Sequence, residues 1–394
     1  MSQDRRHEDV NSHPLHIVTT ACDTEDGSLQ LELQMRQRRH RVCFKSDDVL
    51  LTPSREAFLT LTLFAAMREG LTVPADGPVS RRLLDATERI MELVRSWDPS
   101  LHRVAIRGAV PTEKKPAGED RVGVFFSAGV DSFHTLLTHR DEITDLLFVH
   151  GFDVELGDHA SRSRASKIVR AVGTSLGKNV IEIETNLRSF LRPYVSYTRL
   201  GHGAALASIG HLLAPLFRRI YIASTYTDDV LFPWGSHPEL DPLWSTETLR
   251  FVHDGCDVTR VEKVARLAES DLALQSLRVC LGGRSNCGRC EKCVRTMINL
   301  VAVGAMDRCR SFDVPLDLRN VRKILVEDIH TGAFVTENLR ALEQSGRDPQ
   351  LYEALKEVMH RPLWRTKMLK FGGKLRRKAG KWLPRRREKQ LRSV

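Results

Sequence analysis

FFSAGVDSFHTLL, residues 125–137, decides the fold. An apolar strand ends at Phe126, the chain turns through Ser127, Ala128, Gly129, Val130, Asp131 and Ser132, and helical sequence follows. Outward from this junction, short apolar runs alternate with helical stretches. The runs are VGVFF (122–126), LLFVHGF (146–152), NVIEIET (179–185) and RIYIAS (219–224), with helices expected near 132–140, 161–176 and 203–217. Continuous apolar strands separated by helices predict an α/β fold, a parallel sheet with helices on both faces. In such sheets ligands bind beyond the carboxyl ends of the strands. A turn of small residues there exposes backbone N–H groups, and the helix start adds partial positive charge, which together suit phosphate. Gly129 permits close approach, Ser127 and Ser132 supply hydroxyls, and Asp131 could hold Mg²⁺ or position a substrate group. The plainer alternative is a tight turn in which Asp131 or Ser132 merely caps the helix.

Upstream, LQLELQM (29–35) alternates strictly, placing Leu29, Leu31, Leu33 and Met35 on one face of a strand that 40–44 could pair with. Thr52-Pro53 reads as a cap and first-turn proline opening a helix to about residue 69. A second helix is expected over 79–97 with Leu83, Leu84, Thr87, Ile90, Met91 and Val94 on one side, then a short strand at 102–106. Residues 1–107 thus predict a small N-terminal α+β domain, and 108–120, rich in Pro, Gly and charge, a linker. The expected order continues with a nucleotide-binding domain at 121–278, a cysteine segment with helices at 279–330, helices at 331–360 and a basic tail at 361–394.

The 394 residues are 41% hydrophobic and 28% charged, which excludes wholesale disorder or a disulfide scaffold. No apolar run is long enough to span a bilayer, and MSQDRRHEDVNSH (1–13) lacks an apolar targeting core, so a cytosolic location is expected. The net charge of +10 belongs to the tail: 361–394 holds fourteen Lys and Arg against one Glu, leaving −3 on the remaining 360 residues. Met368, Phe371, Leu375, Ala379 and Trp382 recur there at helical spacing, a pattern fitting peripheral contact with an anionic membrane or RNA. Gly372-Gly373 weakens such a helix, and a solvated tail fits as well.

Cys280, Cys287, Cys290 and Cys293 lie within fourteen residues, spaced C-x6-C-x2-C-x2-C. Four thiolates can close a tetrahedral Zn²⁺ site, leaving no open position for catalysis. Gly288 sits inside the turn, and Arg284, Arg289, Lys292 and Arg295 flank the anionic centre. An iron–sulfur cluster is the competing metal centre, and unligated thiols the plain alternative.

SAGVDS at 127–132 resembles the SGGxDS pyrophosphate loop of the N-type ATP pyrophosphatases, the PP-loop group within the HUP-like folds. Ala128 stands where that pattern carries a glycine. With the four cysteines, the chain is similar to the 7-cyano-7-deazaguanine synthase branch, which binds zinc through four cysteines; the likeness spans about 118–310. It implies ATP split to AMP and pyrophosphate, with an adenylylated carboxylate or carbonyl oxygen on a small-molecule acceptor and an amide-type product. It also implies that 127–132 binds ATP, that Asp131 holds Mg²⁺, and that Cys280, Cys287, Cys290 and Cys293 hold Zn²⁺. DVTRVEKVARLAE (257–269) looks like that family's basic helix start, making Arg260 and Lys263 candidates for phosphate or substrate contact. A tRNA-modifying or thiolating enzyme and a non-catalytic ATP-binding protein are the competing readings. No glutaminase grouping is evident.

The segment 225–246 follows a strand and is rich in polar and aromatic residues, so it is expected to form an acceptor pocket or lid. Asp228, Asp229, His237 and Asp241 could bind substrate or metal there, although a turn residue or solvated charge is the simpler reading of each. His202, between two glycines, could approach the nucleotide. Cys256 invites a sulfur-transfer reading, although a buried structural thiol is the simpler one.

Overall fold

A computed structural model describes residues 16–20, 28–113, 120–280, 285–327, 329–362, 364–365 and 368. Its elements run β1 (His16–Thr20), β2 (Ser28–Met35), β3 (Arg38–Lys45), α1 (Arg55–Glu69), β4 (Val73–Ser80), α2 (Arg81–Trp97) and β5 (Ile106–Thr112). Then come β6 (Arg121–Phe125), α3 (Val130–Thr138), β7 (Asp145–His150), α4 (His159–Leu176), β8 (Asn179–Thr185), α5 (Leu187–Leu191) and α6 (His202–Leu212). The chain continues through β9 (Phe217–Ala223), β10 (Arg250–Asp254), α7 (Arg260–Ala268), α8 (Asp271–Ser276) and α9 (Glu291–Ala302). It closes with α10 (Leu318–Val321), α11 (Ile329–Ser345) and α12 (Pro349–Met359).

One eight-stranded sheet has the order β1-β2-β3-β8-β7-β6-β9-β10. From β8 to β10 every pairing is parallel, and β1, β2 and β3 extend the β8 edge antiparallel. The fold is therefore α/β with a mostly parallel sheet. On β7 the alternate residues Leu147 and Val149 join one core while Leu146 and Phe148 join the other, so the strand is buried on both faces. This explains its unbroken apolar sequence. The first core packs α1, α2 and α6 on one face, and the second packs α3, α4, α7, α8 and α9 on the other. A third cluster joins α9 to α10, α11 and α12.

The strands drawn from 29–45 are present, with Leu29, Leu31, Leu33 and Met35 buried. Their pairing with β8 makes the N-terminal strands part of the central sheet. Of the expected linker, 108–112 belong to the strand Ile106–Thr112, which pairs parallel with β4, and 114–119 lie outside the described residues. Pro and Gly signalled a break there, but a two-stranded ribbon tolerates Pro111 at its edge. The cap of α1 is Ser54, which accepts from the Ala57 N–H, rather than Thr52. The tail at 361–394, apart from five residues, and most of 1–27 lie outside the described residues. Among the described residues no helix is long and apolar enough to cross a membrane.

Candidate functional site

β6 lies between β7 and β9, with β7 and β8 following on one side and β9 and β10 on the other. The direction of winding reverses between β6 and β9, and the loops leaving such neighbours diverge to open a crevice. The turn 127–132 leaves β6 at this point. Its α3 helix starts at Gly129 without any side-chain cap. By contrast α1, α2 and α4 are capped by Ser54, Ser80 and Asp158. Neither Asp131 nor Ser132 caps α3: Ser132 Oγ donates to Gly129 O at 3.2 Å and accepts from Ser127 N–H at 3.3 Å. Ser127, Gly129 and Asp131 are half-buried, while Ala128, Val130 and Ser132 are buried. Ala128 sits at φ 57°. That left-handed geometry suits the glycine of the resembled pattern and strains an alanine by roughly 1–2 kcal/mol.

α7 brings positive charge to this turn. Its start is fixed by a capping box: Thr259 Oγ1 accepts from the Glu262 N–H, and the Glu262 carboxylate accepts from the Thr259 N–H. Arg260 and Lys263, three apart, share the face turned to α3. Arg260 Nη1 donates to Asp131 Oδ1 at 2.9 Å. Lys263 Nζ lies 4.0 Å from the same oxygen and donates to Ser224 O, just past β9, at 2.7 Å. Burial opposes ionisation of Asp131, yet Arg260, Lys263 and Arg295 outweigh it and hold the carboxyl below its usual range. Burial likewise draws Lys263 and Arg295 down from their usual values. Three cations thus face one carboxylate, and Arg260 Nε and Arg295 Nε are buried without a hydrogen-bond partner. Glu337 of α11 stands beside Arg260 and Arg295, and burial raises its carboxyl. The excess positive charge fits a bound anion.

A cleft of about 1180 Å³ opens alongside, beyond the ends of β7 and β8. Gly151, Asp153, Arg164, Arg188, Arg278 and Asn286 are among its walls. Arg278 joins it to the turn, because its N–H donates to Ala128 O at 2.7 Å and its Nη1 to Ser127 O at 3.4 Å. Arg164 Nη2 and Arg278 Nη2 are buried without a partner. The volume exceeds the ~300–1,000 Å³ of ordinary ligand pockets.

The four cysteines converge as their spacing predicts. Their Sγ atoms all lie within 4.8 Å of one another, with Cys287–Cys293 at 3.9 Å and Cys280–Cys290 at 3.8 Å. Four sulfurs at ~2.3 Å from a tetrahedral Zn²⁺ would be about 3.8 Å apart. Gly288 turns the knuckle at φ 62°, and a Cβ there would meet Val314 at 2.3 Å. Asn286 clamps the two arms: its Oδ1 accepts from the Val279 and Cys280 N–H groups, and its Nδ2 donates to Leu277 O and Ser311 O. Burial raises Cys290 and Cys293 above the usual thiol range. Against the same burial, the N–H groups of Arg289 and Cys290 bring Cys287 to about 7. The group fits a metal such as zinc.

Other expected residues divide. Asp228 and Asp229 lie exposed on a short turn. His237 packs its ring 5.0 Å from Trp97. His202 lies against 225–246, where the neighbouring Gly203 N–H donates to Gly235 O at 2.7 Å. Asp241, fully buried, holds His253, whose importance the sequence did not signal. Arg295, expected to balance the thiolates, reaches Asp131 with its charge instead, because position 295 falls on the face of α9 turned to α7. Arg278 and Glu337 carried no local motif. Arg284 lies outside the described residues. No family model, curated protein or solved structure matches the chain.

Proposed function

We propose that the chain binds ATP across the 127–132 turn and adenylylates a carboxylate or carbonyl oxygen of a small-molecule acceptor, releasing pyrophosphate on the way to an amide-type bond. One observation carries this reading: an uncapped helix start at the sheet's reversal point lies beside Arg260, Lys263 and Arg295, three cations set against Asp131 and, at the two arginines, Glu337. The N–H groups of the turn and the α3 dipole favour the polyphosphate. Arg260 and Arg295 neutralise charge that accumulates on the departing pyrophosphate, so catalysis is positioning and electrostatic stabilisation. Lys263, held by Ser224 O, is a positioning residue that keeps Asp131 and β9 in register. Arg260 and Lys263 meet Asp131 at Oδ1, and its carboxylate would be the group to hold Mg²⁺ brought with the nucleotide. The adjoining cleft has room for base and acceptor together. The cysteine centre would carry Zn²⁺ as a brace. A tRNA-modifying role rests on the basic tail, and no described residue favours it.

Calorimetric titration with Mg·ATP, followed by pyrophosphate release assays against mixed small carboxylic acids, tests the reading. Micromolar binding that Arg260→Gln abolishes supports it. Absence of ATP binding to the intact metal-loaded chain overturns it.

A further inference from the structure

The cleft beside the 127–132 turn carries positive charge that the adenylation reading leaves unused. Arg164, Arg188, Arg192 and Arg278 all line it. None of the four is ion-paired among the described residues. Helix α4 shows the contrast on a single element. Arg162 pairs with Glu184, and Arg170, about two turns on, pairs with Asp48 and Glu182. Arg164 is rotated about 200° from Arg162 round the helix. It lines the cleft and has neither ion pair nor hydrogen bond among the described residues. It is half-buried, and its Nη2 is cut off from water.

Arg278 and Arg188 are oriented by neutral groups. The Arg278 guanidinium lies 5.7 Å from the centre of the Phe148 ring, and its Nη1 donates to Ser127 O at 3.4 Å. That of Arg188 lies 4.9 Å from the centre of the Tyr197 ring and donates to Phe152 O. Ring faces and carbonyls hold a guanidinium in place without cancelling its charge. The acids of the wall do not cancel it either. Asp153 and Glu155 are exposed, and Asp158 caps α4 by accepting from the Ser161 N–H at 3.0 Å.

We propose that the cleft binds an oxyanion, a carboxylate or phosphate group, through Arg164 and Arg278, with the exposed Arg188 and Arg192 adding to the field. A guanidinium presents paired N–H donors that match either group. Turning toward such a guest would end the isolation of the Arg164 charge. Arg278 reaches from the turn to the cleft, so an acceptor with its reacting oxygen at the turn would place a second acidic group here. The acceptor is then a small dicarboxylate or a phosphorylated carboxylate. That assignment rests on the adenylation reading; the oxyanion pocket does not.

Calorimetric titration of the full, metal-loaded chain with inorganic phosphate and with malonate, at ionic strength fixed by chloride, tests the pocket. At least one anion should bind with millimolar affinity, and Arg164→Gln should weaken it by about tenfold or more. Arg170→Gln, on the same helix but removing a paired charge, should leave that affinity unchanged. The tighter of the two anions identifies the acidic group. Arg164→Gln should not lower the melting temperature, since the side chain has no partner to lose; a clear drop assigns the arginine to the fold and overturns its role. Binding of neither anion, or binding that only Arg260→Gln removes, also overturns the pocket. Arg164-dependent binding that persists under saturating Mg·ATP supports the acceptor assignment, and displacement by Mg·ATP overturns it. A chain that takes up the anion through Arg164 but never binds ATP keeps the pocket and loses the adenylation reading.

Discussion

The cysteine knuckle and the 127–132 turn are mirror images in charge. The knuckle gathers four groups that become anionic together, and only an added cation lets them do so. The turn gathers Arg260, Lys263 and Arg295 around Asp131 and is left with positive charge that an added anion would quench. Each would be complemented by a guest of opposite sign. They are also joined. Arg278, two residues before Cys280, buttresses the turn through Ala128 O, and Arg295, two residues after Cys293, delivers charge to Asp131. The knuckle clips together the two strands of chain that carry these arginines, so a structural metal would set the geometry of the anion site.

Stripping the metal breaks the comparison most severely. Structural zinc contributes on the order of 10 kcal/mol to folding in small domains. Metal analysis should find one zinc per chain, and chelation should lower the melting temperature sharply and abolish ATP binding together. Identical melting curves before and after chelation would separate the two regions. Next, Arg260→Ala leaves Asp131 with one cation fewer in a largely buried setting. Breaking a buried pair costs about 3–5 kcal/mol, and calorimetry should show at least a hundredfold weaker ATP binding while the zinc content is unchanged.

A third effect follows from pH. His253 is raised to about 9 in the fold, against an ordinary value of about 6.5. Its stabilisation is full below pH ~6.5 and is lost as pH rises towards 9, on the order of 3 kcal/mol in all. Asp241, Cys256, His202 and His237 surround it. Melting temperatures between pH 6 and 9.5 should fall more steeply for the wild type than for His253→Gln. Asp131 works in the opposite sense: its depressed value stabilises above pH ~4 and is lost only in stronger acid. The smallest effect belongs to Ala128. Relief of left-handed strain in Ala128→Gly is offset by a lost buried methyl and greater unfolded-chain freedom, each about 1 kcal/mol. The melting temperature should move by no more than a few degrees. Ala128→Val, branched and buried in the same geometry, should lose several times more.

How much could be read from the chain depends on how far apart the partners sit in it. The four cysteines fall within fourteen residues, and a rigid ligand geometry makes that spacing diagnostic. β6 and β7 announced themselves because burial on both faces leaves no polar alternation, whereas β8 alternates Ile181, Glu182, Ile183 and Glu184. Arg295, Arg278, Glu337 and the pairing of Asp241 with His253 carried no such mark. Each gains its role only when distant segments are stacked by the sheet and by α9 and α11, and an isolated Arg or His has the same sequence whether it faces solvent or a carboxylate. The strand at Ile106–Thr112 was hidden for a different reason. Its Gly and Pro residues signal a break, and pairing to β4 overrides them.

The antiparallel strands meet the parallel ones through a narrow seam: β3 registers with β8 at two residue pairs, whereas β7 and β8 share six. Beyond that seam, α1, β2 and β3 are fastened to the rest by apolar contact, as in the packing of α1 beneath α6, and by scattered hydrogen bonds such as Cys43 N–H to Asn186 Oδ1. Apolar attachment weakens on cooling while hydrogen-bonded ladders persist. Near freezing, α1, β2 and β3 should be the part of the described fold that loosens first, and the crevice beside the 127–132 turn should outlast them.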